Sequence, residues 1–378
     1  MKKQIWNRLL CLGMIGLLIV VLAACSETDS VTTNESNNLN NTNNTENTDS
    51  TDNDSNNTTT PSGAVVDLTI STFMPGPHPQ HTEILEPFVQ QIEKATDGRV
   101  TGTLYTANAL GEANAQYDLV VNGVADMSMS LHGYTPGKFP LTGVTELPFM
   151  GENATDATKI FWGLNETFPE IAEEHEGTKI GWLFKNDPAQ ILTVDKPILS
   201  PEDLKGLKIR TPSASANGIL ESYGAIPVSM PMGDVYEGMQ KGVVDGALAP
   251  ASVITNFQLG DVTNYITKGN FYTSSIFVVI NPNTWSEISQ EDQTAIEEII
   301  GEGMATKAAE LYNVDADGGW DTATEAGIDI YEIPEEDLAI WKKPLEPLYE
   351  KWIEEMEEEG LPGKEVYDEA VRLRDQGV

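Results

Sequence analysis

Residues 196–250 read KPILSPEDLKGLKIRTPSASANGILESYGAIPVSMPMGDVYEGMQKGVVDGALAP, and this stretch decides the fold. Two short apolar runs, at 207–210 and 243–248, enclose two segments with helical character. Strands that alternate with helices predict an α/β protein. Arg210 ends the first run just before Pro212, and a proline at that point ends strand pairing and turns the chain.

Arg210 therefore lies at the carboxyl end of a predicted strand. Ligands of open α/β sheets bind at that edge. Burying an arginine is costly unless a carboxylate pairs with it. The carboxylate can belong to one of the many acidic residues of the chain or to a bound ligand, and the residues alone leave both interpretations open.

The length and charge of the chain restrict its class. Its 378 residues are enough for two domains with real cores. The formal net charge is −37, from 59 acidic and 22 basic residues. That balance excludes nucleic acid as a partner and argues against electrostatic binding to anionic lipid. It indicates a surface that faces the outside of the cell, so an anionic ligand must meet a locally concentrated positive charge.

The N-terminus has the layout of a signal peptide. Residues 1–24 combine a basic start with an apolar run that is short for a membrane-spanning helix. Leu-Ala-Ala-Cys at 22–25 resembles the bacterial lipobox, which predicts cleavage before Cys25, lipidation of its thiol and anchoring to the outer face of the cell membrane. The alternative is an ordinary secretory signal with an incidental cysteine. Cys11 is lost in either case, so no disulfide is expected.

Residues 25–62 are expected to be a lipidated cysteine followed by a disordered tether. The segment is rich in Asn, Thr, Ser and Asp and poor in large apolar side chains. It cannot bury enough surface to offset its chain entropy. The folded part is predicted to begin near Val65, and a strand–helix–strand–helix–strand pattern extends from there to Leu131.

Capping and proline signals predict several helix boundaries. Ser200, followed by proline and two acids, begins a short helix. Pro87 is awkward inside the first helix and indicates that this helix starts late. Ser289 is predicted to cap one long helix that extends to Leu311. A further acidic helix is predicted over 341–358.

Catalytic signatures are absent from the sequence. It contains no Gly-x-Ser-x-Gly elbow, no His-Glu-x-x-His and no P-loop. His78 and His81 lie in a proline-rich loop without a nearby third ligand, so a solvent-facing loop is favoured, with ligand contact second and metal binding last. We expect a protein that is not an enzyme and has no metal or cofactor. A secreted, membrane-tethered hydrolase and a receptor that presents its ligand to a sensor remain alternatives.

An ordered set of short motifs covers essentially all of the chain after the tether. In chain order these are Leu110-Gly111, Gly123-Val124-Ala125-Asp126, Glu146-Leu147-Pro148-Phe149, Lys196-Pro197-Ile198, the run from Ser200 to Arg210, Gly224-Ala225, Met230-Pro231, Val235-Tyr236 and Gly242-Val243-Val244-Asp245-Gly246. Together they resemble the DctP-type extracytoplasmic solute receptors of TRAP (tripartite ATP-independent periplasmic) transporters.

The resemblance implies a two-lobed, type II periplasmic-binding-protein-like α/β fold with crossovers between the lobes and a long helix that spans both. The expected division is 63–188 with 276–312 in lobe I and 189–275 with 313–378 in lobe II. It also implies that a monomeric receptor closes around a small carboxylate and docks on the small and large subunits of an ion-driven membrane permease.

The resemblance also implies a site. The arginine at the position of Arg210 makes a bidentate bond to the ligand carboxylate, which lysine cannot reproduce. Gln190, Met232 and Ala249 stand where relatives carry a second arginine, an aromatic residue and an asparagine. The site then has fewer charges than those relatives, which favours a monocarboxylate. The contacts expected from the first lobe are Met74, Ser130, His132 and Tyr134.

Overall fold

A computed structural model describes residues 65–377. The predicted signal peptide, Cys25 and the tether lie outside the described residues. Within the described range, none of the helices has the length and apolarity needed to cross a membrane.

The first lobe is built on a five-stranded sheet with the order β2-β1-β3-β10-β4. β1 is parallel to β2 and β3, whereas β10 is antiparallel to β3 and β4. β10 is buried along its whole length, as its run of apolar residues predicts. The strands are β1 Val66–Thr72, β2 Val100–Tyr105, β3 Met127–Leu131, β4 Lys179–Lys185 and β10 Ser275–Ile280.

The second lobe is built on a six-stranded sheet with the order β11-β9-β5-β8-β6-β7. The chain passes from the first sheet to the second after β4, returns to supply β10, and passes again to the second sheet to supply β11. These are the predicted crossovers of a two-lobed fold. The strands are β5 Ala189–Thr193, β6 Lys208–Thr211, β7 Ile226–Ser229, β8 Gly246–Pro250, β9 Tyr265–Lys268 and β11 Asp329–Glu332.

Helices cover both sheets. The α-helices of the described part are α1 Glu86–Ala95, α2 Gln116–Val121, α3 Ala154–Thr167, α4 Pro169–Glu173, α5 Ala214–Ser222, α6 Val235–Gln240, α7 Val253–Asn256, α8 Pro282–Glu287, α9 Gln290–Glu297, α10 Glu302–Glu325, α11 Leu338–Lys342, α12 Pro347–Glu358 and α13 Gly363–Gln376.

Two of the predicted helix starts are confirmed. Ser200 and Asp203 form the expected capping box at the start of the short 3-10 helix Pro201–Leu204. α1 begins at Glu86, so Pro87 lies in its first turn, where its missing N–H is tolerated. A π-helical turn, Gln80–Leu85, precedes α1 and was not expected.

Two predicted long helices are wrong. The helix expected from Ser289 to Leu311 is divided into α9 and α10 at Gly301, whose φ of 87° is left-handed and whose N–H donates to the carbonyl of Gly181 at 2.8 Å. The helix expected over 341–358 is divided into α11 and α12, because Pro344 and Pro347 cannot donate the backbone hydrogen bonds of a continuous helix.

The long helix α10 contacts both lobes, as the resemblance implies. It packs against α3 and β4 of the first lobe and against α7, which follows β8 in the second lobe. The last two helices do not follow the expected division, which placed 313–378 in lobe II. α13 packs on α3, because apolar side chains of α12 and α13 join the core formed by α3, β4 and β10.

α10 approaches the second lobe closely at Gly319. A Cβ added to Gly319 would lie 2.1 Å from the carbonyl oxygen of Ala251, whereas one added to the neighbouring Gly318 would meet nothing within 4 Å. We expect Gly319→Ala to lower the free energy of unfolding by about 2 kcal/mol, since forcing atoms into a packed contact costs about 1–3 kcal/mol.

Gly318→Ala is the matched control. It should raise the free energy of unfolding by up to about 1 kcal/mol through helix propensity alone. Urea unfolding followed by circular dichroism measures both variants. Equal stabilisation by the two substitutions would contradict the close approach at Gly319.

Candidate functional site

A narrow cavity lies where the two lobes meet. It brings together four of the predicted site residues: Met74 and Tyr134 from the first lobe, and Arg210 and Met232 from the second. The other lining residues are Phe73, His78, Leu131, Asn186, Pro212, Pro250, Ser252, Val253, Phe257, Tyr272, Ser274 and Tyr312.

The guanidinium of Arg210 is buried, and groups of the protein accept some of its hydrogen bonds. Its Nε donates to the carbonyl of Met230 at 2.9 Å, and its Nη1 lies 3.5 Å from the carbonyl of Leu248. Its Nη2 donates to the hydroxyl of Tyr134 at 3.2 Å. A guanidinium has five N–H groups, so one N–H remains on each terminal nitrogen. Such a pair matches the two oxygens of a carboxylate.

Arg210 has no acidic partner in the described part of the chain. Within residues 65–377, no carboxylate lies within 4.0 Å of its nitrogen atoms. Its side chain is nevertheless 1% exposed. The interpretation of Arg210 as half of a structural ion pair therefore finds no support among these residues.

The hydroxyl of Tyr134 accepts two hydrogen bonds. One comes from Arg210 Nη2 at 3.2 Å and the other from the backbone N–H of Met232 at 2.9 Å. Burial raises the pKa of Tyr134, although the charge of Arg210 acts in the opposite direction. The phenol is therefore protonated at neutral pH, and its own hydrogen is available for a further acceptor.

His78 lines the cavity as an uncharged donor. Its Nδ1 accepts the N–H of Gln80 at 3.1 Å, so the neutral ring carries its proton on Nε2. Burial, with a smaller effect of His81, lowers the pKa of His78 to about 3. The expectation of a solvent-facing loop is wrong, since His78 is 3% exposed and packs edge-to-face on Phe257.

The remaining lining residues carry no charge and include aromatic, aliphatic and polar side chains. Tyr272 and Tyr312 are buried, and burial raises the pKa of both phenols. Asn186 accepts the N–H of Ser274 through its Oδ1 at 2.7 Å. Among the described lining residues, Arg210 is the one that carries a charge at neutral pH.

Gln190 and Ala249 do not line the cavity. The amide of Gln190 donates to Pro188 and Asn270 and accepts the N–H groups of Gly269 and Asn270. All of its hydrogen-bonding groups are therefore used within the second lobe. Ala249 pairs with Gln190 across β5 and β8 and is part of the hydrophobic core.

Ser130 and His132 also lie outside the lining. Ser130 donates through its Oγ to the carbonyl of Ala113 at 3.1 Å. The Nε2 of His132 lies 2.9 Å from the Nε2 of His175, and its ring packs on Phe139. Both side chains belong to the packing of the first lobe, and His132 faces a separate groove that Ser213 and Ala214 of the second lobe also line.

Several lining residues were not predicted as site residues. Asn186 follows the last residue of β4, and Tyr272 and Ser274 come just before β10. The carboxyl end of a strand was the signal used for Arg210, and the same rule applied to β4 would have found Asn186. Tyr272 and Ser274 precede the amino end of β10, which reaches the same edge because β10 is antiparallel to β3 and β4. Phe257 and Tyr312 lie on elements that reach the cavity through tertiary packing, and no local pattern marks them.

Signs of catalysis or metal binding are not found among the described residues. Ser252 donates through its Oγ to Asp187 at 2.7 Å, and burial raises the pKa of that carboxyl to about 7. Between residues 65 and 377, no serine or threonine hydroxyl is hydrogen-bonded to a ring nitrogen of histidine, as nucleophile activation requires. The same part of the chain has no cluster of three or more His, Cys, Asp or Glu that could hold a metal.

Comparison with known proteins identifies relatives along most of the chain. The model of the DctP family, bacterial extracellular solute-binding protein family 7, matches residues 70–355. The ectoine-binding periplasmic protein TeaA of Halomonas elongata is 25% identical over 293 residues, which cover 73% of this chain and 81% of TeaA.

Two solved structures are more similar in sequence. A TRAP solute-binding protein from a marine metagenome, specific for aromatic acid ligands and in complex with metahydroxyphenylacetate, is 29% identical with a TM-score of 0.79. The match covers 82% of this chain and 99% of that one. A TRAP solute-binding protein from Rhodoferax ferrireducens, in complex with copurified benzoate, is 27% identical with a TM-score of 0.79 and coverages of 83% and 98%.

Proposed function

The chain belongs to the DctP family of TRAP solute-binding receptors, and from this premise we propose that it captures a small organic monocarboxylate and is not an enzyme. The observation that carries the proposal is the buried Arg210, whose terminal nitrogens keep one N–H each without a hydrogen-bond partner among the described residues. In this proposal Arg210 holds both carboxylate oxygens, and Tyr134 donates a further hydrogen bond to one of them.

The charge of the cavity supports a ligand with one carboxylate. Arg210 supplies a single positive charge, and the neutral His78 cannot compensate a second negative charge. The aromatic walls, among them Phe257 and Tyr312, favour an apolar or aromatic body for the ligand. The aromatic acids bound by the two similar structures agree with this class.

Binding at this site must include closure of the lobes. A micromolar dissociation constant corresponds to about 8 kcal/mol. Charge-assisted hydrogen bonds contribute about 1.5–3 kcal/mol each. The two bonds from Arg210 give about 3–6 kcal/mol, and a third from Tyr134 reaches about 8 kcal/mol only near the upper limit, whereas association itself costs at least about 4 kcal/mol. The exclusion of water from the aromatic walls supplies the rest.

Delivery of the ligand follows from the family. We propose that the receptor is monomeric, works outside the cytoplasm and passes its ligand to the small and large subunits of a TRAP permease. In the same proposal, a lipid on Cys25 anchors the receptor to the outer face of the membrane, and residues 26–62 act as the tether. Replacing Cys25 by serine should release the mature protein from membranes into the soluble fraction.

A thermal-shift screen over small mono- and dicarboxylates tests the proposed function, because a ligand that binds only the native state raises the apparent melting temperature. The most direct comparison is between the melting-temperature shifts caused by benzoate and by its uncharged analogue benzamide. Stabilisation by benzoate and not by benzamide is expected. Failure of every acid to stabilise the protein would refute the proposal. Conversion of an acid derivative during incubation, followed by chromatography, would favour a hydrolase.

A further inference from the structure

The hydroxyl of Tyr134 connects the two lobes. Tyr134 follows β3 of the first sheet, whereas its two donors, Arg210 Nη2 and the N–H of Met232, belong to β6 and the segment after β7 of the second sheet. Both lone pairs of the phenol oxygen are therefore engaged by the opposite lobe. The bond from the guanidinium is charge-assisted, and its acceptor is a buried neutral hydroxyl.

The residue before Tyr134 shows how closely the lobes approach here. A Cβ added to Gly133 would lie 2.5 Å from the Cβ of Ser213 and 3.3 Å from its Cα, on the second lobe. Any side chain at position 133 would hold the two lobes apart. Gly133 is therefore needed for contact between the lobes and not for local backbone conformation, since its φ is not positive.

We propose that Tyr134 is a positioning residue that makes carboxylate capture and lobe closure one event. This inference rests on the proposed function, because it assigns a role to a residue of the same site. The phenol accepts from Arg210 and Met232 only when the lobes are together, and its hydrogen then points to the carboxylate that Arg210 holds. In the open receptor, Arg210 is the single donor to the carboxylate. Closure adds the hydroxyl of Tyr134 as a second donor and orients the guanidinium of Arg210.

The test combines two variants with two matched controls. Tyr134→Phe removes the bridging hydroxyl, and Gly133→Ala keeps the hydroxyl but blocks the approach to Ser213. Tyr117→Phe removes another buried tyrosine hydroxyl, whose bonds to Glu176 and Thr178 stay within the first lobe. Gly303→Ala adds a methyl group where nothing lies within 4 Å.

Calorimetry and small-angle X-ray scattering supply the readouts, with benzoate as the probe. We expect Tyr134→Phe and Gly133→Ala to weaken benzoate binding about 30-fold or more, from the loss of one neutral and at least one charge-assisted hydrogen bond. Both variants should also show a smaller decrease in radius of gyration on saturation than the wild type. The two controls should match the wild type in affinity and compaction.

Two results would overturn the inference. One is full compaction of Tyr134→Phe by benzoate, since a structural role of the phenol alone would leave closure intact. The other is wild-type affinity for benzoate in both Tyr134→Phe and Gly133→Ala. Either result leaves the proposed function standing, because Arg210 then binds the acid without the bridge. Failure of the wild type to bind any acid refutes the proposed function instead, and the inference with it.

Discussion

Arg210→Lys is expected to weaken binding of the carboxylate ligand about 100-fold or more while changing the melting temperature of the ligand-free protein by only a few degrees. Lysine keeps the charge but presents a single ammonium group, so the two-pronged bond to both carboxylate oxygens is lost. The bonds of Arg210 to Met230 and Tyr134 are of the kind that contributes about 1.5–3 kcal/mol each, and the lysine ammonium replaces them only in part. Isothermal titration calorimetry with the tightest acid from the screen measures the affinity.

Arg99→Lys is the matched control for this experiment. Arg99 makes a bidentate pair with Asp292 in the first lobe and is not part of the cavity lining. The same substitution there should lower the melting temperature and leave ligand affinity unchanged. Undiminished carboxylate binding by Arg210→Lys would remove Arg210 from the site, and a collapse of its ligand-free stability would make its role structural.

Local signals in the sequence predict the parts of the fold that depend on neighbouring residues. The alternation of strands and helices from β1 to β3 follows from apolar periodicity and from glycines such as Gly98 and Gly123, both left-handed in the structure. The cavity positions of Arg210 and Tyr134 were predicted from similar local signals, since Arg210 lies at a strand end before a proline and Tyr134 follows the end of β3.

Tertiary contacts decide the parts that the sequence did not predict. Gln190 was placed in the site by its spacing from a family motif, but the loop at 269–270 uses all of its amide groups. His132 pairs with His175, which is 43 positions away and carried no signal. The break between α9 and α10 depends on a bond from Gly301 to β4. Such contacts become visible only when distant segments are brought together.

The second large effect concerns the number of carboxylates on the ligand. At pH 7.5 we expect 3-carbamoylbenzoate to bind about 100-fold more tightly than isophthalate, which has the same shape and one more negative charge. Arg210 compensates one carboxylate, and a second one inside the cavity would be buried without a partner, at a cost of several kcal/mol. Calorimetric titration of the two acids under identical conditions measures the difference directly.

The pH dependence of the same comparison tests why the difference arises. The pKa of the second carboxyl group is about 4 to 5 for an aromatic acid, by analogy with carboxylic side chains. Lowering the pH toward that value should reduce the difference in affinity between the two acids, because isophthalate then binds with one negative charge. Equal affinities at pH 7.5 would instead require protonated His78 in the complex. The pKa of His78 is about 3, and each unit of increase costs about 1.4 kcal/mol. Raising that pKa above 7.5 would cost more free energy than one histidine–carboxylate ion pair contributes. The preference for the monocarboxylate therefore follows from the burial of His78.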